Sequence, residues 1–183
     1  IKYAPVHYGP VWERGEDGRF GLPEHSLGWQ IAEWCTYYLG PLDDGDHFTL
    51  TLEQLRFVLW WYAVDDDGQF VYPSRGMLQR IKGWGKDPLL AVLCLVEAFG
   101  PSVFSGWGKD GEPIGRRRER ARVQLAAVDF SQTENTFEMF THLVTDRLEH
   151  DCDVKVMSRQ VFGFRRTCRI ERLSASPRNK EGN

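Results

Sequence analysis

From Ser26 the apolar positions Leu27, Ile31, Trp34, Tyr38 and Leu39 recur at helical spacing and stop at Gly40-Pro41, which predicts a first helix. After the turn LDDGDHF, the stretch TLEQLRFVLWWYAV predicts a second helix, with Thr51 as N-cap and Gln54 at N3 in a capping-box pattern; VDDDGQ ends it. MLQRI, behind Pro73 and Gly76, reads as a short strand. PLLAVLCLVEAF is apolar on nearly every side, as suits a helix packed inside a domain, and Gly100-Pro101 stops it. ARVQLAAV then predicts a buried parallel strand. SQTENTFEMFTHLVTDRL predicts a helix opened by a capping box from Ser131 to Glu134, with Phe137, Phe140, Val144 and Leu148 along one face. Alternating segments around Gly163 predict a strand pair.

Strand, loop, helix, strand, helix, strands is the order of an α/β domain with parallel strands and crossover helices, here preceded by two N-terminal helices. Residues 1–25, with Pro5, Pro10 and Pro23 and four glycines, read as an extended arm. Residues 26–183 read as the domain, with a glycine-rich loop insertion over 100–120.

Composition narrows this picture in a few places. A chain of 183 residues with seven tryptophans and 42% hydrophobic residues can build a real core. Its longest apolar run, PLLAVLCLV, is about half of the ~20 residues a membrane-spanning helix requires, so no membrane association is expected. The start IKYAPVHYGP has neither an initiator methionine nor a signal-peptide pattern, so the chain is expected to begin inside a longer product. Cys35, Cys94, Cys152 and Cys168 share no short spacing, and Cys94 lies in an apolar helical run where a small buried thiol is the ordinary reading, so a reducing, cytoplasmic setting with no disulfide framework or zinc site is expected. Net charge is −7 over residues 1–75 and +4 over 76–183, a balance open both to an anionic partner and to an ordinary solvated surface. The acidic runs at Asp43, Asp44, Asp46 and Asp65 to Asp67 lie beside glycines and lack calcium-loop spacing, so they read as turns.

Candidate chemistry centres on GWGKD, which occurs at Gly83 to Asp87 and again at Gly106 to Asp110. The second copy sits among Gly106, Gly108, Gly111, Pro113 and Gly115 and reads as loop. The first precedes a buried helix, where Gly85 would let backbone N–H groups approach a phosphate and Lys86 would neutralise it. It departs from the full G-x-x-x-x-G-K-[ST] pattern: Arg80 occupies the first glycine's place and Asp87 the hydroxyl's. Asp87 then reads either as a Mg²⁺ ligand or as the N-cap of a helix opened by Pro88.

RIKGWGKDPLLA resembles the ATPase motif of phage terminase large subunits, especially those of tailed phages infecting actinobacteria. TLEQLRFVLWWYAVDDDGQFVY, VQLAAVDFSQTENTFEMF and SASPRNKEGN resemble the neighbouring stretches, the last of them the segment leading toward Walker B, so the resemblance spans residues 25–183. It implies an incomplete P-loop NTPase-like three-layer sandwich with a mostly parallel sheet and Walker A at 80–87. It further implies part of a motor that couples ATP hydrolysis to translocation of double-stranded phage DNA into the capsid. Such a motor would work in the host cytoplasm with a portal protein and a small terminase subunit, as a homo-oligomeric ring.

Carried over by position, Lys86 would hold the β and γ phosphates and Gly83, Trp84 and Gly85 would form the cradle. Lys82 stands where many terminases have arginine and offers a point charge in place of a bidentate fork. Gln54 matches the glutamine that reads adenine, or serves only its capping box. With ATP and Mg²⁺ as implied cofactors, no apolar strand ending in Asp-Glu exists in the sequence, so the chain is expected to bind nucleotide and hydrolyse it negligibly. Arg116, Arg117 and Arg118, with Arg120 and Arg122, read as a solubilising loop, a contact to DNA phosphates, or a trans finger onto a neighbouring subunit's ATP. A non-catalytic binding module and an unrelated P-loop NTPase are the competing readings.

Overall fold

The computed structural model describes residues 9–42, 45–72, 76–127 and 130–174; the side chains of residues 130–132 and 174 also lie outside the description. Asp43, Asp44, Pro73, the Ser131 cap and most of SASPRNKEGN therefore fall outside it.

The arm enters through a 3-10 turn at Pro10–Trp12 and a bridge between Arg14 and Phe20, and ends in β1 (His25–Ser26). Helix α1 (Gly28–Tyr38) follows, then α2 (Leu52–Trp61), whose capping box forms in both directions: Gln54 N–H donates to Thr51 Oγ1 at 3.2 Å and Thr51 N–H to Gln54 Oε1 at 3.0 Å. The helical pattern through Ala63-Val64 is overridden, because β2 (Ala63–Val64) pairs antiparallel with β1. The acidic turn behaves as predicted: Asp65 Oδ1 accepts from the N–H groups of Asp67 and Gln69, and Gly68 takes the left-handed conformation at φ +74°.

MLQRI is not a strand. Residues 76–81 carry no ladder partner among the described residues, and Met77 and Ile81 are 88% and 80% exposed, so no apolar face draws the segment into a sheet. Helix α3 (Lys86–Phe99) is the centre of the core, with Leu89, Ala91, Val92, Leu95, Val96, Ala98 and Phe99 buried. The loop insertion is a β-hairpin, β3 (Val103–Trp107) against β4 (Pro113–Arg116), so the second GWGKD is half strand and half turn.

β5 (Arg122–Ala127) leads to α4 (Phe130–Leu143). The predicted single helix breaks at Val144-Thr145 because α1 claims that point: Leu39 bridges Val144 and Thr145 Oγ1 donates to Tyr38 O at 2.6 Å. The same hydroxyl accepts from Leu148 N–H and so caps α5 (Asp146–Cys152). The predicted face holds, with Phe137, Phe140 and Leu148 buried.

β6 (Lys155–Val156), β7 (Gln160–Gly163) and β8 (Cys168–Ser174) complete a sheet of order β5-β8-β7-β6. The chain is α/β as predicted, and the β7–β8 pair around Gly163 forms. β5 and β8 are parallel, but the other two pairings are antiparallel, so the described sheet is mixed rather than mostly parallel. Val123, Leu125 and Ile170 point to α3 and α4, whereas Arg122, Arg169 and Glu171 lie on the opposite face and pair there among themselves. Among the described residues the helices thus stand on one face of this sheet, with α1 and α2 behind α3, where the three-layer expectation put helices on both faces.

Candidate nucleotide-binding loop

Two glycines bend residues 82–85 into the helix that follows. Gly83 sits at φ +86° and Gly85 at φ +90°, backbone positions open to glycine at little cost and strained for other residues. Gly85 is the N-cap of α3 and offers no side-chain cap, so the first N–H groups of a 14-residue helix are left for an outside acceptor. Asp87 therefore does not cap the helix. It stands exposed in the first turn, where its carboxylate favours the helix dipole, with Pro88 after it.

Lys86 folds back over the loop and donates from Nζ to the carbonyls of Ile81, at 2.8 Å, and Arg80, at 3.1 Å. An ammonium carries three donors, so one remains for a ligand. Lys82 is exposed at the rim.

Arg80 is held rather than free. Its guanidinium meets Glu53 Oε1 at 2.9 Å and lies over the rings of Trp12, at 4.2 Å, and Trp84, at 5.4 Å. Glu53 Oε2 in turn accepts from Trp84 Nε1 at 3.0 Å, so one carboxylate on α2 fixes both the start and the middle of the loop. Beside it, Gln54 is buried, and a β-carbon built on Gly85 would lie 3.1 Å from Gln54 Nε2. The two readings of Gln54 are compatible in space: Oε1 serves the capping box and Nε2 faces the loop.

Glu53 and Trp12 are site-shaping residues that sequence reasoning missed. The arm read only as an extended segment, yet Trp12 stacks on Arg80, and Phe20 lies between Arg14 and Arg56, each guanidinium 3.9 Å from its ring. Next to Arg80 is a cavity of about 260 Å³ whose lining includes five aromatic residues, Trp12, Phe57, Trp60, Trp61 and Tyr72. The helix below the loop is chemically quiet: burial pushes the Cys94 thiol up to about 12, and Cys35 likewise. All four cysteines are free and buried, Cys94 within the apolar run that predicted its burial.

Arg116, Arg117 and Arg118 are not brought to this loop. Arg118 meets Glu97 at 3.6 Å, and Glu97 lies eleven residues beyond Lys86 on α3, about 16 Å along the axis. Glu97 also accepts from Tyr62, whose hydroxyl pKa is raised well above its ordinary value by burial and then by this carboxylate. Among the described residues no cluster of three or more His, Cys, Asp or Glu could hold a metal, and no helix is long and apolar enough to cross a membrane.

The chain is 39% identical to the Gene 13 protein of Mycobacterium phage L5 and 37% identical to that of Mycobacterium phage D29, with 98% of this chain aligned in each case. It spans about a third, 34%, of the length of these relatives. Its fold is similar to that in the crystal structure of the HK97 bacteriophage large terminase, with a TM-score of 0.60 over 86% of this chain and 29% of that one, at 16% identity. No family model matches the chain.

Proposed function

We propose that this chain is the ATP-binding part of a phage DNA-packaging motor, a terminase large subunit that couples ATP hydrolysis to translocation of double-stranded DNA into the capsid. The observation that carries the reading is Lys86, its ammonium folded onto the loop carbonyls at an uncapped helix N-terminus behind two left-handed glycines. The terminase-like fold and the mycobacteriophage relatives support it.

The donor set fits a polyphosphate: N–H groups at Gly85, Lys86 and Asp87, with Lys86 and the exposed Lys82 supplying positive charge. Asp87, exposed beside these donors, is the oxygen ligand offered to Mg²⁺, which would neutralise charge between carboxylate and phosphates. Gly83 and Trp84 shape the cradle, Arg80 and Glu53 hold it in place, and the aromatic cavity beside Arg80 suits the flat base. In the same reading the full-length protein works as a ring in the host cytoplasm with a portal protein and a small subunit.

Calorimetric titration with Mg²⁺-ATP tests the loop. The wild-type chain is expected to bind, and Lys86→Ala to bind at least tenfold more weakly, with negligible turnover by either. A wild-type chain that takes no nucleotide, or a Lys86→Ala variant with unchanged affinity, overturns the proposal.

A further inference from the structure

At the far end of α3 from the nucleotide loop, the β7–β8 turn does something three non-glycine residues rarely do together. Phe164, Arg165 and Arg166 are all left-handed, at φ +49°, +55° and +66°, a conformation that side chains visit singly and at a cost. The fold holds them there. Phe164 N–H donates to Cys152 O at 2.7 Å, Arg165 N–H to Asp153 Oδ2 at 3.3 Å, and Thr167 closes the turn on Phe164 O. The result is two adjacent, exposed arginines displayed at the tip of a hairpin.

The arginine-rich β4–β5 loop is joined to this tip, because Arg117 lies over the Phe164 ring at 4.1 Å and Cys168 Sγ reaches the carbonyls of Arg118 and Glu119. Arg118 pairs with Glu97, and Arg122 and Arg169 share Glu171. Arg116, Arg117, Arg120, Arg165 and Arg166 are exposed and have no carboxylate partner among the described residues. From these observations we infer that the β4–β5 loop and the β7–β8 turn form one composite surface that grips the phosphate backbone of a nucleic-acid duplex.

Three features select that occupant. Arginine forks suit phosphate oxygens, and the surface adjoins Glu97 through Arg118, about 16 Å along α3 from Lys86, at the opposite end of the helix from the nucleotide loop. The aromatic rings here are already covered, Phe164 by Arg117 and Phe162 by Arg166 at 4.7 Å, so they present no platform for unpaired bases. Five exposed guanidinium forks outnumber the exposed carboxylates beside them, Glu119 and Asp153, and this excess of positive charge suits a phosphate backbone. The inference deepens the packaging reading and rests on it for the use of a duplex, while its residues and its test are separate.

Fluorescence anisotropy of the chain with a labelled 30-base-pair DNA duplex of arbitrary sequence, over a KCl series, tests it. Arg165→Gln with Arg166→Gln, and separately Arg116→Gln with Arg120→Gln, should each weaken binding roughly tenfold or more and lower the slope of log affinity against log salt by about 2. Lys86→Ala should leave duplex affinity unchanged, and a wild-type chain that binds duplex but takes no Mg²⁺-ATP overturns the nucleotide reading alone. Duplex affinity unaffected in both double variants overturns the surface. So does tighter binding of the single strand, or displacement of duplex by polyglutamate at equal charge, which would point to an acidic protein partner. Two variant pairs on different segments keep the test valid if one pair disturbs folding.

Discussion

The five residues GWGKD stand twice in this molecule and end in two different structures. In the first copy, Gly83 and Gly85 are left-handed and Lys86 starts a helix whose inner face is the centre of the core. In the second, Gly106 and Trp107 pair with Ile114 and Pro113, and Lys109-Asp110 form the turn of an exposed hairpin. Each copy also has its own glutamate: Glu53 holds Arg80 and Trp84 in the first, and Glu112 accepts from Asp110 N–H at 3.1 Å in the second. The flanks decide the difference. Seven good helix formers, all Leu, Ala or Glu, stand among the eleven residues after Pro88, whereas Gly111, Pro113 and Gly115 follow the second copy and leave only an extended return strand.

The sharpest way to break this contrast is through the two lysines. Lys86→Ala should cost at least a factor of ten in Mg²⁺-ATP affinity, while Lys109→Ala, at an exposed turn with no helix N-terminus behind it, should cost nothing measurable in the same titration. Equal losses would mean that charge alone, not loop geometry, attracts the nucleotide.

The glutamates come next. Glu53→Ala leaves the Arg80 side chain, 17% exposed, without its carboxylate and Trp84 Nε1 without an acceptor, and should lower unfolding free energy by about 2 kcal/mol in urea titrations. Glu112→Ala removes one acceptor at an exposed turn and should cost less than about 0.5 kcal/mol. A smaller separation follows for the glycines. Gly85→Ala meets a left-handed backbone and the Gln54 amide, for about 1 to 2 kcal/mol, whereas Gly108→Ala meets only the movable tip of Glu112 and should stay under about 0.5 kcal/mol.

Legibility in the sequence followed the range of the interaction responsible. The capping box at Thr51 and Gln54 and the buried helix after Pro88 were readable because their causes lie within a few residues, and ARVQLAAV was readable as a strand but not in its burial, since only one of its faces meets the helices. The break between α4 and α5 was not, since Tyr38 and Leu39, more than a hundred residues away, impose it. The strand assigned to MLQRI failed for a related reason: local apolar character cannot make a strand where no neighbouring strand is placed to receive it. At the candidate loop, the turn through the glycines and the helix after it were legible from GWGKDP. The Glu53 anchor and the Trp12 stack on Arg80 join three segments that local pattern cannot connect.

The last contrast is between a copy rooted in the core and one at the surface, and Cys94, two turns below Lys86 on α3, reports it. Burial raises this thiol from its ordinary value of 9.0 to about 12, so folding favours the neutral form. The stabilisation is complete below pH 9 and is lost as pH rises from 9 toward 12, because the unfolded chain releases the proton first. By pH 10 the loss is about 1 kcal/mol per thiol, and Cys35, shifted to the same degree, contributes in parallel. Urea midpoints should therefore fall between pH 8.5 and 10, roughly, and fall less steeply in Cys94→Ala. A variant that keeps the wild-type slope would mean that the helix carrying the first copy opens to water as readily as the hairpin carrying the second.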